Sequence, residues 1–593
     1  MKNFKKIAAL LVSALLILAM MAPAFADDPA YDAKVSVTAL EEGDVAHFYK
    51  VVEWVGETDD NVSGWKAVAP FNTILTKDVL TKVLVGTKQA TQEDVDAKKA
   101  TKVGQLIDPT GITAELAGLL ARAASTATAA DVPVENSKVA EYSVPNAGIY
   151  MALITPTDAN TIYNPVFVSS DYTTGGTNTI AMPAQDAQSY SDSAAAKKSK
   201  VELTKTAATT EDANDDRKPT TTAVGDTVNY TVNVTVPGYA GVYEHPHFVL
   251  SDTLTNLKLN KDSVAVKVGG ADLVKDTDYT ITTTDSSYSI TFTEAYLKRN
   301  IAAQNVAVTY SAIVTVAAEK AINEENNKVQ IEYTHDPKNE TDYDVKKDTT
   351  QHYTFTLDAS GMGSGSTVSG KKTSEIVKVG VNADGTPIMT ETQTSAITDT
   401  ETWEGPLSGA VFGLYVAGAT EGTYTPYYPK DANGNVTTTA LTATTGADGR
   451  MTFAGLDAGT YYLHEISAPA GYVTNSDYVK VEIIATTKSV TVTETISGKT
   501  VTYETDILES YTVKVGGVMT AEYQFHNENT ASSTNINWEE ATTVEHPHEF
   551  ENKKGVELPA TGGTGTKVMI GAGSLLAIAF AIVLVSRRRA TEE

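Results

Sequence analysis

The chain has 593 residues, no cysteine and a formal net charge of −28 at pH 7. Such an acidic surface disfavours nucleic acid and anionic membranes as partners. The lack of cysteine excludes disulfides, thiol catalysis and thiolate metal sites, so any covalent cross-link must use other chemistry. At typical domain sizes, this length predicts three or four domains.

The N-terminus has the features of a secretory signal peptide. A head with three lysines is followed by an apolar run from Ile7 to Met21, and then by Ala-Phe-Ala ending at Ala26. The apolar run is shorter than the ~20 residues that a membrane-spanning helix needs, and small residues follow it as in a cleavage site. We therefore predict a signal peptide over residues 1–26, cleaved after Ala26, and a secreted protein.

The remainder of the chain has mainly the pattern of β-strands. From Val228 to Val236, apolar and polar residues alternate strictly, which predicts a half-buried strand. Similar runs begin at Val306 and Val490, and turns rich in Gly, Asn and Asp separate such runs. The fold class that we predict is mainly β, with tandem immunoglobulin-like β-sandwich domains.

Some helix is expected in the first domain. The clearest stretch runs from Thr113 to Ala124, where Leu116, Leu119 and Leu120 are predicted to share one face. The predicted organisation is an N-terminal domain and a middle sandwich, then a flexible Gly/Ser hinge, a third sandwich and a C-terminal segment. The N-terminal domain covers residues 27–196 and the middle sandwich covers 197–359. The hinge covers 360–370, the third sandwich 371–555 and the C-terminal segment 556–593.

The C-terminal segment combines three features in a fixed order. Leu558-Pro559-Ala560-Thr561-Gly562 precedes an apolar stretch over 568–585, which is just long enough to span a bilayer, and three arginines follow at 587–589. This combination resembles the cell-wall sorting signal of Gram-positive bacteria, which sortases read. The resemblance implies that a sortase cysteine attacks the carbonyl of Thr561, releases Gly562 onward and transfers the Thr561 acyl group to an amine.

Three runs in the third domain resemble the collagen-adhesin B-type sandwich that ends Gram-positive pilins. They are Leu407–Tyr415, Tyr461–Tyr472, which resembles the pilin E-box, and Phe550–Gly555. In that family a lysine on the first strand bonds to an asparagine on the last strand with loss of ammonia. The resemblance implies that Lys378 is the amine and Glu465 the acid, with Asn552 as acceptor and Asn527 as the alternative acceptor.

The middle domain resembles the middle isopeptide domain of major pilins. The runs that carry the resemblance are Val201–Thr206, Val224–Tyr230, Phe248–Leu254 and Asn326–Tyr333. It implies a bond from Lys205 to Asn327, or alternatively to Asn326, promoted by Asp252 as the acid. This chemistry needs a neutral amine and a protonated carboxyl, and an apolar pocket favours both forms. A bond from Lys34 to Asn164 is a further candidate in the first domain, although no acid motif accompanies it.

A polymerising pilin also needs a lysine that receives the Thr561 acyl group of its neighbour. In the family this lysine lies in a Tyr-Pro-Lys-Asn motif at the end of the first domain, whereas here that junction has lysines without an aromatic-Pro pair. By position, Lys197 is the first candidate and Lys198 the second. Lys430, in a Tyr-Pro-Lys-Asp run of the third domain, is a further alternative.

Taken together, the motifs resemble those of an LPXTG-anchored major pilin, the shaft subunit of a covalent pilus. The resemblance implies a fimbrial, wall-anchored location and a role in host adhesion or colonisation. The implied partners are a class C-type pilin sortase, a housekeeping sortase with peptidoglycan, identical subunits, minor pilins and host surface ligands. The alternative is a wall-anchored adhesin that is not polymerised. The sequence has no His-Glu-x-x-His, Gly-x-Ser-x-Gly or phosphate-loop motif, so we predict neither an enzyme nor a metal or cofactor site.

Overall fold

The structure, a computed structural model, is built mainly from β-strands that form several sandwich-like sheets, as predicted. It describes residues 33–55, 62, 65–84, 111–173, 188–190, 192–209, 221–315, 320–359, 375–385, 405–526, 537–540 and 547–555. The predicted signal peptide, Gly/Ser hinge and sorting helix lie outside these residues.

In its described residues, the first domain has two larger sheets, one two-stranded sheet and two helices. One sheet has the strand order β10-β1-β5, and the other has the order β3-β2-β6-β8-β9 with β4 paired to β2, while β11 pairs with β7. The strands are β1 Ala33–Thr38, β2 Val45–Trp54, β3 Trp65–Ala67, β4 Ala130–Pro133, β5 Ala140–Val144, β6 Gly148–Thr155, β7 Thr161–Tyr163, β8 Val166–Thr173, β9 Gln188–Tyr190, β10 Asp192–Ala195 and β11 Lys198–Lys200. The helices are α1 Lys77–Leu84 and α2 Ala114–Ala123, with 3-10 turns at Phe71–Thr73 and Ala124–Thr126.

Helix α2 lies where the sequence predicts a helix, but its buried face differs by one residue. The side chain of Thr113 accepts a hydrogen bond from the Leu116 N–H, which satisfies one free donor of the first turn. Leu120 is buried, whereas Leu119 is 38% exposed, so the prediction for Leu119 was wrong. Leu120 lies four positions after Leu116 and shares its face of the helix more closely than Leu119, which lies three positions after it. The buried face also includes Ala117 and Ala121.

Gly118 brings α2 into close contact with the middle domain. A Cβ atom at this position would lie 1.6 Å from the carbonyl oxygen of Val242. Arg122, one turn further along, forms an ion pair with Glu244 at 3.2 Å and another with Glu340. The two domains therefore meet through a helix that approaches the neighbouring backbone at a residue without a side chain.

We expect Gly118→Ala to open this contact. The added methyl must displace the backbone at Val242, and overpacking of this kind costs about 1–3 kcal/mol, more than alanine gains in a helix. Hydrogen exchange at residues 240–244 should accelerate, while exchange in the third domain stays unchanged. Leu119→Ala is the matched control, since Leu119 lies on the exposed side of the same helix. Unchanged exchange at residues 240–244 in Gly118→Ala would contradict this interpretation of the contact.

The middle domain is a sandwich of two antiparallel sheets. Their strand orders are β12-β13-β20-β16-β17, with β15 on β20, and β18-β19-β14-β21-β22. The strands are β12 Leu203–Thr209, β13 Thr227–Val236, β14 Phe248–Thr255, β15 Leu257–Leu259, β16 Ala265–Val268, β17 Ala271–Asp272, β18 Tyr279–Thr283, β19 Ser287–Phe292, β20 Gln304–Val314, β21 Ile322–Thr334 and β22 Tyr343–Leu357; helix α3 is Glu294–Arg299 and a 3-10 turn covers Lys261–Ser263.

Strand β13 confirms the predicted alternation. Its valines and Tyr230 are buried in the core between the sheets, while the intervening Asn and Thr residues point away from that core. Since neighbouring side chains of a strand point to opposite faces, this pattern fixes the register of the strand relative to the core.

The third domain has one large antiparallel sheet and one parallel strand pair. The sheet has the order β25-β24-β28-β29-β30-β31-β32 with β26 on β24, and β23 pairs with β33 in parallel. The strands are β23 Ile376–Val381, β24 Val411–Ala417, β25 Tyr424–Pro426, β26 Thr442–Thr444, β27 Phe453–Leu456, β28 Gly459–Ser467, β29 Tyr478–Ile496, β30 Lys499–Val515, β31 Val518–His526, β32 Asn537–Glu540 and β33 His548–Lys553.

The middle and third domains share strand β22. Its end pairs with β27 at Phe355 and Leu357, and both side chains belong to the apolar core of the third domain. The Phe355 ring stacks on Tyr511 with 5.2 Å between the ring centroids. The sequence assigns residues up to 359 to the middle domain, and that boundary stays a prediction, but the hydrophobic core of the third domain extends across it.

The hairpin formed by β29 and β30 reaches from the third domain onto the middle domain. Near its tip, the Lys499 ammonium lies 2.9 Å from a carboxylate oxygen of Asp342, and Glu494 forms an ion pair with Lys347. Further back, the hydroxyls of Thr349 and Thr505 are 2.8 Å apart and buried. We refer to β29 and β30 together as the hairpin arm, which joins the two domains at a second place beside the β22–β27 pairing.

Candidate functional site

The middle domain holds a buried lysine, aspartate and asparagine in mutual contact. Lys205 Nζ lies 2.6 Å from Asp252 Oδ2 and 2.6 Å from Asn327 Oδ1. All three residues are at most 1% exposed. The structure thus brings together the amine, acid and acceptor that the sequence predicts in this domain.

Strand alternation places these three side chains between the two sheets. Lys205 lies on the inward side of β12, and Asp252 and Asn327 lie on the inward sides of the neighbouring strands β14 and β21. Burying a charged or polar group without a close partner is costly. The short contacts among these three side chains offset the cost of burying them in an apolar core. The arrangement holds a nucleophilic nitrogen beside a carboxamide and a carboxyl.

Tyr310 completes the contacts of this group and was missed in the sequence. Its hydroxyl donates to Asp252 Oδ2 at 2.6 Å and accepts from Asn327 Nδ2 at 2.7 Å. Burial holds the pKa of Tyr310 well above its ordinary value, and the nearby charge of Asp252 adds to the effect. The only sequence signal was the inward position of Tyr310 in the alternating run that begins at Val306.

The alternative acceptor Asn326 points away from the lysine. Its Nδ2 donates to Glu324 Oε1 at 2.7 Å, and the residue is partly exposed. Consecutive residues of a strand face opposite sides, so only one of Asn326 and Asn327 can reach the core. The contact with Lys205 is made by Asn327.

A second buried group lies in the third domain. Lys378 Nζ is 3.2 Å from Glu465 Oε1, and Asn552 Nδ2 donates to Glu465 Oε2 at 2.9 Å. Lys378 and Asn552 are carried by the parallel strands β23 and β33, in which Lys378 is opposite Phe550. Burial lowers the pKa of Lys378, while Glu465 acts in the opposite direction. Glu465 therefore bridges the amine and the carboxamide with its two oxygens.

Lys197 is exposed at the junction of the first and middle domains. It borders a cavity of about 440 Å³ whose lining also includes Pro165, Phe167, Val242 and Ile301. No ion pair to Lys197 occurs among the residues that the structure describes. An exposed amine beside a partly apolar cavity is accessible to an incoming peptide.

The other predicted lysines are held by carboxylates. Lys198 Nζ lies 2.5 Å from Glu41 Oε1, and Lys430 Nζ lies 2.6 Å from Asp226 Oδ1. The remaining candidate in the first domain, Lys34, forms an exposed ion pair with Glu141.

Asn164 instead bonds to the middle domain, where its Nδ2 donates to the Gly238 carbonyl oxygen at 3.5 Å. The structure therefore does not bring Lys34 and Asn164 together.

Two predictions fall on residues outside the described part. They are the alternative acceptor Asn527 and the pentapeptide Leu558–Gly562 with the apolar stretch that follows it. Within the described ranges, no helix is long and apolar enough to cross a membrane.

Two family models match parts of this chain. Residues 393–497 match the SpaA prealbumin-like fold domain, and residues 551–593 match the LPXTG cell wall anchor motif. The chain is 24% identical over 485 residues to the trypsin-resistant surface T6 protein of Streptococcus pyogenes serotype M6, covering 76% of this chain and 81% of that protein.

A solved structure shows the same overall fold. The T6 backbone pilin of serotype M6 Streptococcus pyogenes aligns with a TM-score of 0.50 and 17% identity, covering 90% of this chain and all of that one. The full-length major pilin SpaD of Corynebacterium diphtheriae aligns with a TM-score of 0.41 and 15% identity over 89% of this chain and 99% of that one. The anchor motif indicates a protein anchored to the cell wall at the surface of a Gram-positive bacterium, and the SpaA-type domain and the similarity to the T6 protein are features that the chain shares with LPXTG-anchored major pilins.

Proposed function

We propose that this chain is a pilin, the repeating shaft subunit of a covalent pilus, cleaved between Thr561 and Gly562 and joined to Lys197 of the next subunit. The observation that carries the proposal is the exposed Lys197 beside the cavity between the first and middle domains. A class C-type sortase would hold the Thr561 acyl group as a thioester. Attack by the Lys197 amine would then form the amide and release the sortase cysteine.

The proposed shaft is further stabilised by amide bonds inside two domains. Lys205 would bond to Asn327 with Asp252 as acid, and Lys378 would bond to Asn552 with Glu465 as acid. The short contacts within both buried groups support this part of the proposal. In the middle domain the amine contacts the carboxamide directly, and in the third domain Glu465 contacts both the amine and the carboxamide. Holding reacting groups close together in this way replaces a bimolecular encounter with a unimolecular step, which lowers the barrier.

The remaining partners follow from the same proposal. A housekeeping sortase would transfer the finished polymer to peptidoglycan, and minor pilins and host surface ligands would bind the assembled fibre during adhesion. The role of the chain is structural, because each internal bond forms once per molecule and is not turned over.

The decisive experiment is an immunoblot of cell-wall extracts after boiling in detergent. A shaft subunit gives a covalent ladder of high molecular mass, and a strain that lacks only the pilin sortase gives a single wall-linked band. A single band in the parent strain would reject polymerisation and favour the monomeric, wall-anchored adhesin.

We expect Glu465→Gln to prevent the bond in the third domain. Glutamine has nearly the same shape but no acidic proton, so the carboxamide of Asn552 is no longer activated. Mass spectrometry of peptides should find both Lys378 and Asn552 unmodified, and the free energy of unfolding of this domain should fall by ~4–5 kcal/mol, by analogy with a disulfide that closes a long loop.

The matched control for Glu465→Gln is Glu551→Gln. Glu551 precedes Asn552 on β33 but is exposed, so the same chemical change should leave the cross-linked peptide intact. A cross-linked peptide in Glu465→Gln at the parent level would refute the role of this carboxyl.

A further inference from the structure

Tyr310 lies where the proposed reaction in the middle domain must deliver a proton. The inference rests on the proposed bond between Lys205 and Asn327. In that reaction the attacking nitrogen loses a proton, and Nδ2 of Asn327 gains one and leaves as ammonia. Asp252 contacts the attacking nitrogen at 2.6 Å, whereas Nδ2 of Asn327 donates a hydrogen bond of 2.7 Å to the Tyr310 hydroxyl.

We infer that Tyr310 is a catalytic residue, whose hydroxyl relays a proton from Asp252 to the leaving nitrogen of Asn327. The hydroxyl oxygen lies 2.6 Å from Asp252 Oδ2 and 2.7 Å from Asn327 Nδ2. When Asp252 is protonated, its carboxyl donates to the Tyr310 oxygen, and the hydroxyl proton of Tyr310 then turns toward Nδ2. A hydroxyl is both a donor and an acceptor, so it can release one proton and take up another in the same step.

Neutral Lys205 attacks Cγ of Asn327, a C–N bond forms, and the attacking nitrogen gives a proton to Asp252. Asp252, which enters as the protonated acid, passes its own proton to the Tyr310 oxygen, and Tyr310 passes its hydroxyl proton to Nδ2. The bond from Cγ to Nδ2 then breaks with its electron pair on nitrogen, and ammonia leaves. Asp252 and Tyr310 end in the forms in which they began.

The third domain shows why only one of the two sites needs a relay. There Glu465 Oε2 itself accepts from Asn552 Nδ2 at 2.9 Å, while Oε1 lies 3.2 Å from Lys378 Nζ. The two oxygens of one carboxyl thus contact the attacking and the leaving nitrogen. Asp252 is one methylene shorter, and its Oδ2 contacts both Lys205 and Tyr310. The Tyr310 hydroxyl therefore makes the contact with the leaving nitrogen that Glu465 Oε2 makes in the third domain.

The surroundings of Tyr310 suit a relay that stays neutral. Its ring stacks on Tyr230 with 5.1 Å between centroids and packs edge-on against Tyr288 at 5.0 Å, which fixes the direction of the hydroxyl. Burial favours the neutral hydroxyl over the phenolate. A neutral hydroxyl can donate and accept at once, whereas a phenolate can only accept.

The test compares Tyr310→Phe with the parent in the full chain. Phenylalanine keeps the ring contacts and removes only the hydroxyl. Cell-free synthesis followed by timed peptide mapping should show that the Lys205–Asn327 cross-link forms at least ~100-fold more slowly, which is the usual size of a proton-transfer contribution. The Lys378–Asn552 cross-link in the same molecules should form at the parental rate, and so serves as an internal measure of folding.

Tyr239→Phe is the matched control. It removes another buried hydroxyl of the same domain, one that donates to the Thr334 carbonyl oxygen at 3.0 Å, and it should leave both rates unchanged. If Tyr310→Phe does not fold, 3-fluorotyrosine at position 310 replaces it, because this residue keeps the ring and the hydroxyl and is a stronger acid. It should accelerate the step.

The outcomes separate this inference from the proposal on which it depends. A parental rate in Tyr310→Phe, or an unchanged rate with fluorotyrosine, overturns the relay and leaves the cross-link intact. If the parent chain itself never forms a cross-link from Lys205 to Asn327, the proposed bond fails, and the relay fails with it.

Discussion

Lys197→Ala is expected to abolish the covalent ladder in wall extracts. The acyl group of Thr561 needs an accessible, unprotonated amine, and Lys197 is exposed beside a cavity into which a peptide can extend. Without this amine, only transfer to wall peptide remains, so the protein should appear as a single wall-linked band. The measurement is the detergent-resistant immunoblot, followed by mapping of the branched peptide in the parent polymer.

Two matched lysine variants sharpen the test of Lys197. Lys198 and Lys430 are each paired with a carboxylate, so Lys198→Ala and Lys430→Ala should keep the ladder. Export should be equal in all three strains, as judged by the amount of the single band. A persistent ladder in Lys197→Ala would contradict the assignment, and its loss in Lys198→Ala or Lys430→Ala alone would transfer the role to that lysine.

Asp252→Asn is expected to leave the middle domain without its internal bond. The variant is nearly isosteric, but it can neither take the proton of Lys205 nor pass one on to Tyr310. The intact mass should exceed that of the parent by one ammonia, after correction for the substitution. The bond would close a loop whose ends lie 122 positions apart. Its loss should therefore lower the free energy of unfolding by ~4–5 kcal/mol, by analogy with a disulfide.

The control for Asp252→Asn is Asn326→Ala. Asn326 is the neighbour of the proposed acceptor but faces Glu324 on the other side of the strand, so the mass loss should persist. The same chains can be stretched singly, because a domain closed by the Lys205–Asn327 amide should extend less under force than one that lacks it. A parental mass loss in Asp252→Asn would remove Asp252 from the mechanism.

Much of the fold could be predicted because strand alternation is local, whereas the residues of both buried groups were predicted from the resemblance to pilin domains. The run from Val228 to Val236 shows which side chains face the core, and the structure places Lys205, Asp252 and Asn327 on inward positions of their strands. Tyr310 has the same inward position, but an inward tyrosine is also an ordinary core residue. Its contacts with Asp252 and Asn327 depend on three strands meeting, which no local pattern encodes.

Contacts between domains were the part that the sequence could not indicate. The run beginning at Val490 predicts a strand, yet nothing in it shows that β29 and β30 continue until Lys499 reaches Asp342. The role of the shared strand β22 could not be predicted either. In the sequence, Phe355 and Leu357 stand at the end of the middle domain, but their side chains pack in the core of the third domain. Such contacts join residues far apart in the chain, and their partners are set by three-dimensional packing.

The hairpin arm has a mechanical consequence for a fibre of such subunits. Two domains joined at one place can rotate about that place. The middle and third domains are joined both at the β22–β27 pairing and at the arm tip, so their joint resists bending. The tip contacts are ion pairs with partly exposed side chains, which dissolved salt screens. The flexural rigidity of the fibre should therefore vary with the salinity of its medium, while its tensile strength, if carried by amide bonds, stays the same.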